Sequence, residues 1–293
     1  MHTLVLLLFL AVILGLLSPA AQKRLRGILQ SHPPLLFAWS AGLALLFAVL
    51  AAAEGAFSLP LAFLLLAYTT APALAAFVQG PQAGSRPAWL DFAAILMLWL
   101  PLEFSAGQHL IPRPAQGFLH SVAYGIAILL GLVIFLGFRG LPGMKYRLPG
   151  GRDVALGAAG FALTAPVLIA VGRWIGFIPP FHAPAHPQPA RLATTFAAIF
   201  AGTALPEEIL FRSLIQNWLM QRYGFTLPVL LVAGLIFGAA HLDNGPQALP
   251  NWRYMILATI AGVAYGRVFQ KSASVFSAVT FHALVDATKH FFF

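Results

Sequence analysis

The chain has 293 residues, 60% of them hydrophobic and 9% charged, with a mean hydropathy of +0.84. A soluble domain is close to half apolar and a quarter charged, which excludes an ordinary cytosolic enzyme, a disordered protein and a nucleic-acid module with a solvated basic face. Seventeen Lys and Arg against eight Asp and Glu give a net charge of +9, a balance that in a polytopic membrane protein suggests loops facing an anionic leaflet. The chain has no cysteine, hence no thiolate nucleophile, disulfide or Cys-ligated metal.

Crossing ~30 Å of hydrocarbon takes about 20 residues of helix. Candidate stretches lie near 3–20, 35–53, 57–79, 90–108, 119–138, 154–172, 192–220, 226–242, 253–270 and 273–292. They predict an all-α, polytopic transmembrane helical bundle of about ten helices (eight to ten). The first stretch ends in Ser18, Pro19, Ala20 and Ala21, as a cleavable signal does. It lacks a basic start, however, and Lys23, Arg24 and Arg26 follow it, which favours a retained helix with a cytoplasmic C-terminal end. Ten helices with the N-terminus outside leave Arg113, Arg173, Arg191, Arg253 and Lys289 on the outer side and the other twelve cations inside.

The basic link from Arg139 to Arg152 divides the chain. Residues 1–150 read as N-terminal helices poor in polar groups, and 151–293 as a second domain rich in them. In the proline-rich stretch 178–189, His182 and His186 are four apart, but Pro184 and Pro187 argue against a helix there and leave them as loop histidines.

The acidic residues are unevenly placed. Glu54, Asp91, Glu103 and Asp153 fall near predicted helix ends, where water can reach them. Glu207 and Glu208 fall near the middle of the 192–220 span, where each ionised group costs a few kcal/mol. Glu208 and Arg212 are four apart and can pair on one helix face, while Glu207 points about 100° away. A structural ion pair plus a solvated carboxylate would also account for these three residues. Pro206 removes a backbone donor from the carbonyl of Gly202, and a kink there would open space for water beside Glu207.

The next span ends Phe237-Gly238-Ala239-Ala240-His241. Gly234 and Gly238, one turn apart, permit close approach of a neighbouring backbone, and Gly262 and Gly266 read as a second packing face. After a short link this helix returns beside the Glu207 helix, so His241 can approach Glu207; the same spacing suits an interfacial histidine with no catalytic part. In the last span His282 and Asp286 are four apart and share a face. Asp286 can hold His282 in one tautomer, form a plain buried pair with it, or be neutralised by Lys289. Carboxylates and histidines gathered at membrane depth on three late helices mark a functional cavity. There is no HExxH zinc motif, no glycine-rich phosphate loop and no paired aspartate-rich motif for prenyl diphosphate chemistry.

The run from Glu207 to Arg212 resembles the EExxxR motif of the CPBP family, the CAAX-prenyl-protease and bacteriocin-processing proteins also called Abi or Rce1-like. Phe237 to His241 resembles its FxxxH motif, and His282 to Asp286 its third, a His followed four residues on by Asn or a related residue. The similarity covers about residues 150–293. It implies an intramembrane glutamate endopeptidase with no metal or other cofactor: Glu207 with His241 activating water, Glu208 held by Arg212, and His282 with position 286 stabilising the oxyanion. The commonest family residue at the last position is Asn, whose amide donates a hydrogen bond, whereas an ionised Asp286 does not. Asp286 must then be protonated or act by orienting His282.

The expected partners are the bilayer of a prokaryotic inner (plasma) membrane and a membrane-protein or peptide substrate, with no nucleic acid. Oligomeric state and substrate prenylation are not specified by these residues. Two other classes use the same residues. One is a zinc metalloprotease ligated by His241, His282 and carboxylates; the other is a transporter or non-catalytic scaffold, the former relaying protons through intramembrane Glu and His.

Overall fold

The computed structural model describes residues 1–81, 86–183, 188–245 and 248–293. Pro184, His186 and Pro187 lie outside the described residues. Among those described the chain is all-helical, with eleven helices and no strand, and it divides into two compact units, Met1–Pro142 and Gly143–Phe293.

The first unit begins with α1 (His2–Gly15) and α2 (Pro19–Ser31), bent 90° to each other. The bend falls at Ser18-Pro19: Pro19 cannot donate back into α1, and the Ser18 hydroxyl accepts from the Ala21 N–H to start α2. The predicted 3–20 span therefore stops at residue 15, and fourteen residues of helix cover only about 21 Å. Next come α3 (Leu35–Ala53), α4 (Leu59–Gln79), α5 (Trp89–Glu103) and α6 (Arg113–Leu132), the last continuing as a π-helix over Val133–Phe138. The Arg139 N–H closes that wide turn on the Ile134 carbonyl at 2.7 Å. Two α2 side chains satisfy carbonyls in it: Arg26 donates to Leu136 at 3.2 Å and Gln30 to Phe138 at 2.9 Å.

Two acidic residues expected near water are buried instead. Asp91 accepts from the Ala88 N–H at 2.8 Å and pairs with Arg139 at 2.7 Å, fully out of solvent. Asp153 accepts from the backbone of Gly150, Ala273 and Ser274. A helix start supplies both with N–H donors, so a carboxylate there can be sealed without being orphaned.

The second unit holds α7 (Gly151–Trp174), α8 over residues 189–223, α9 (Leu227–Ala239), α10 (Trp252–Lys271) and α11 (Phe276–Phe292). Among the described residues, four helices are long and apolar enough to cross a membrane: Leu35–Ala53, Leu59–Gln79, Arg113–Phe138 and Gly151–Trp174; α1 with α2 makes a fifth if the bent pair is one span. These helices make it an integral membrane protein. Several other predicted stretches end early as helix: 90–108 stops at Glu103 and 226–242 at Ala239.

α9 packs on α10, and α11 on α7. The glycines singled out in the sequence form the first contact. A Cβ on Gly238 would lie 2.7 Å from the Met255 carbonyl oxygen, one on Gly234 3.0 Å from the Val263 nitrogen, and one on Gly262 3.2 Å from the Gly234 oxygen. Because backbone is the obstacle, the helices must separate to admit a side chain. Gly238→Val is expected to lower the unfolding free energy by about 1–3 kcal/mol, whereas Gly15→Ala, which meets nothing within 4 Å, should leave it nearly unchanged; thermal unfolding in detergent compares the two.

The turn leading into α11 is clamped from the start of the unit. Lys145, in the left-handed region at φ 52°, donates through Nζ to the carbonyls of Phe269 at 2.6 Å, Gln270 at 3.1 Å and Ser272 at 2.9 Å. Burial pulls the Lys145 pKa below its ordinary value, with Asp153 pushing the other way. The Val275 N–H closes on the Lys145 carbonyl at 3.0 Å. This clamp fixes where α11 begins, and so where its polar side chains sit.

Candidate active site

Glu207 and Glu208 occupy a single α-helical turn, Leu205–Glu208, between two π-helical segments, Phe200–Ala204 and Ile209–Gln216. The Leu205 N–H bonds five residues back to Phe200, and the Asn217 N–H five back to Arg212. The donor missing at Pro206 falls just after the first widened turn, where a kink was expected from the sequence. Such π insertions occur frequently at functional positions.

The expected Glu208–Arg212 pair is present and sealed. Arg212 Nε donates to Glu208 Oε2 at 2.8 Å, and neither side chain has any exposure. Arg212 Nη1 also donates to Gln216 Oε1 at 3.3 Å, and Gln216 Nε2 donates to the Gly266 carbonyl at 3.0 Å, tying α8 to α10. The guanidinium lies over the rings of Phe237 and Tyr265, 4.9 and 5.8 Å from their centroids. Arg212 Nη2 is buried without a hydrogen-bond acceptor among the described residues, so the aromatic faces, together with Glu208 and Gln216, are what offset the burial of this charge.

His282 is the hub of the site. Its Nδ1 lies 3.0 Å from Glu208 Oε1, and its Nε2 lies 3.4 Å from Asp286 Oδ2 and 3.9 Å from Glu207 Oε2. Tyr265 stacks on the ring at 4.8 Å and Phe237 meets it edge-on at 5.7 Å. Three carboxylates thus surround one imidazole, and they differ in burial. Glu208 is sealed, while the side chains of Glu207 and Asp286 are 28% and 29% exposed.

His241 follows the end of α9, where its Nδ1 is 2.8 Å from the Phe237 carbonyl oxygen and its ring is 4.6 Å from that of Tyr254. A carbonyl only accepts, so Nδ1 carries the hydrogen and, in the neutral ring, Nε2 carries the lone pair. The carboxylate expected to approach His241, Glu207, reaches His282.

His241, Tyr254, His282, Asp286 and Lys289 line one cavity of about 650 Å³, counting its open mouth; apolar side chains of α7 and the segment after it form the opposite wall. Lys289 acts on Asp286 through its charge but forms no close ion pair with it among the described residues: its ammonium sits 4.5 Å from the Tyr254 ring centroid and 4.7 Å from that of Phe177. His182 stands apart from the cluster, its N–H bonded to the Phe292 carbonyl.

Sequence reasoning missed Gln216, although the 208–212–216 spacing put it on the face of the ion pair. It also missed Tyr254 and Tyr265, ordinary aromatics of a membrane helix that no spacing distinguishes. Among the described residues, no group of three or more His, Asp and Glu side chains is arranged to hold a metal ion.

Residues 189–288 match the model of the family described as Type II CAAX prenyl endopeptidase Rce1-like. No curated protein and no solved structure matches the chain. The family match covers the whole of α8, α9 and α10 and α11 through residue 288, so it spans Glu207, Glu208, Arg212, His241, His282 and Asp286. It identifies a domain of the peptidase class.

Proposed function

We propose that this Rce1-like domain hydrolyses peptide bonds of membrane-associated proteins or peptides by direct attack of water, with Glu207 as general base. The observation that carries this reading is the difference between adjacent carboxylates: Glu208 is sealed against Arg212 and His282, whereas the Glu207 side chain is 28% exposed, with its Oε2 turned inward 3.9 Å from His282 Nε2. Only an accessible carboxylate can take a proton from water.

The roles follow from the hydrogen bonds. Glu207, with the Nε2 lone pair of His241, removes a proton from the water whose oxygen attacks the scissile carbonyl carbon. The C–N bond then breaks and the proton passes to the leaving nitrogen, so the base becomes the acid. At His282 an ionised Glu208 accepts from Nδ1–H, while the oxygens of Glu207 and Asp286 face Nε2. Acceptors facing a nitrogen require a hydrogen between them, so this set holds one, on His282 Nε2 or on Asp286. That hydrogen is the donor for the developing oxyanion, and it lets Asp286 stand where the family more often has Asn.

Arg212 holds Glu208, and Glu208 holds His282, so neither needs to touch substrate. The side chains that would have to ligate zinc are already committed, Glu208 to Arg212 and His282 Nδ1 to Glu208, and we read the reaction as metal-independent. The test uses the full chain in lipid vesicles, incubated with a mixed library of apolar peptides and read by mass spectrometry for new termini. The wild type should cleave, His241→Ala should cleave about 10²–10⁴-fold more slowly, and 1,10-phenanthroline should have no effect. Loss of activity in chelator with recovery on adding zinc would establish the metalloprotease instead.

A further inference from the structure

The cavity has a cation at its mouth that the hydrolytic scheme does not use. Lys289, two turns after His282 on α11, is exposed to solvent, and its ammonium is held over the faces of Tyr254 and Phe177. Among the described residues it has no hydrogen-bond acceptor and no close ion pair; Asp286, three residues away on the same helix, feels its charge without contact and is itself bound to His282, leaving the ammonium free to contact an added acceptor. Tyr254 also packs on His241, so a single ring separates the ammonium from the proposed acid–base pair.

Two further cations bond to the backbone flanking Phe177, a residue of the cavity wall. Arg173 donates to the Ile178 carbonyl at 3.4 Å and Arg253 to the Gly176 carbonyl at 3.5 Å, on either side of Phe177. Neither forms an ion pair with a carboxylate among the described residues. Lys289 is thus the one Lys or Arg among the described residues that line this largely apolar cavity, and Asp286, the carboxylate lining it, is already bound to His282. An ammonium resting on two aromatic faces, with no acceptor bonded to it, can still turn an N–H donor to an incoming acceptor.

We propose that Lys289 is a substrate-binding residue that recognises a carboxylate of the substrate and so sets which peptide bond lies over His241 and Glu207. The inference rests on the peptidase reading, since it presumes a peptide in the cavity. The carboxylate is either the free C-terminus of the peptide or an Asp or Glu side chain near the scissile bond. Both supply two oxygens to an ammonium.

The test measures binding, so it does not depend on turnover. The probes are an N-acetylated apolar tetrapeptide with a free C-terminal carboxylate, the same peptide as its C-terminal amide, and the amide carrying one Asp. Each is titrated against the full-length chain in neutral-lipid vesicles and against Lys289→Met and Lys289→Arg. The free acid, the Asp-bearing amide or both should bind the wild type about tenfold more tightly than the plain amide; which of them does so names the source of the carboxylate. Lys289→Met should bind all three alike, and Lys289→Arg should keep the preference.

Equal affinity of the wild type for all three probes, undetectable binding included, would overturn the proposal. So would a preference that survives in Lys289→Met, or a Lys289→Met defect confined to vesicles containing phosphatidylglycerol, which would make Lys289 a lipid anchor. Failure of the peptidase reading shows separately, as absence of cleavage by a wild type that still prefers the carboxylate probe.

Discussion

Glu207→Gln is expected to reduce kcat/KM for peptide cleavage by about 10²–10⁴-fold and to leave the thermal unfolding midpoint within a degree or two of the wild type. The substitution keeps the shape of the side chain and removes the basic oxygen. It should be tolerated because Glu207 is partly exposed and its charged contact to His282 is a long 3.9 Å, so little folding energy depends on its charge. Glu207→Asp keeps the charge but withdraws it by one methylene. It should retain part of the activity, since general-base catalysis needs the oxygen within hydrogen-bond reach of the attacking water. A fall in activity equal to a fall in folded protein would make Glu207 structural.

Arg212→Met is expected to cost about 3–5 kcal/mol of stability, because it leaves the Glu208 carboxylate buried without its ion-pair partner. Unfolding of detergent-solubilised protein, followed by the fluorescence of buried Trp218, measures the loss. The double variant Glu208→Gln with Arg212→Met removes both charges and should recover much of the stability. It should not recover activity, since the ionised oxygen that holds His282 Nδ1–H at 3.0 Å would become a neutral, weaker amide acceptor. Recovery of both together would mean that the pair is there only to hold helices. Arg212→Lys should fall between, because one ammonium cannot reproduce a fork that reaches both Glu208 and Gln216.

These effects are largest where the sequence was most readable. Spacing of four on a helix delivered Glu208 to Arg212 and His282 to Asp286, because i and i+4 side chains share a face whatever surrounds them. Glycine pairs one turn apart predicted the α9–α10 contact for the same reason. Hydropathy gave the all-helical class but placed individual helix ends loosely: it registers apolar residues without registering the Ser18-Pro19 break or the early end of α5.

Long-range partners were out of reach. That Asp91 seals against Arg139, 48 residues away, and that Lys145 caps the end of α10 are consequences of packing with no local signature. The meeting of Glu207 with His282 is of the same kind. Chain order pointed to the histidine of the following helix and gave no sign that the histidine of α11 also lies 3.9 Å from that carboxylate. The two π segments around Glu207 were half legible, since Pro206 marked the lost donor but not the widening that accompanies it.

The most direct test of the central claim is quantitative terminal proteomics of membranes from cells making the wild type or Glu207→Gln at equal levels. Defined new peptide termini present with the wild type and missing with the variant are the predicted result, and they would identify the substrate and the bond at once. An identical set of termini in both membranes, with both proteins folded and abundant, would contradict intramembrane peptide hydrolysis by this chain.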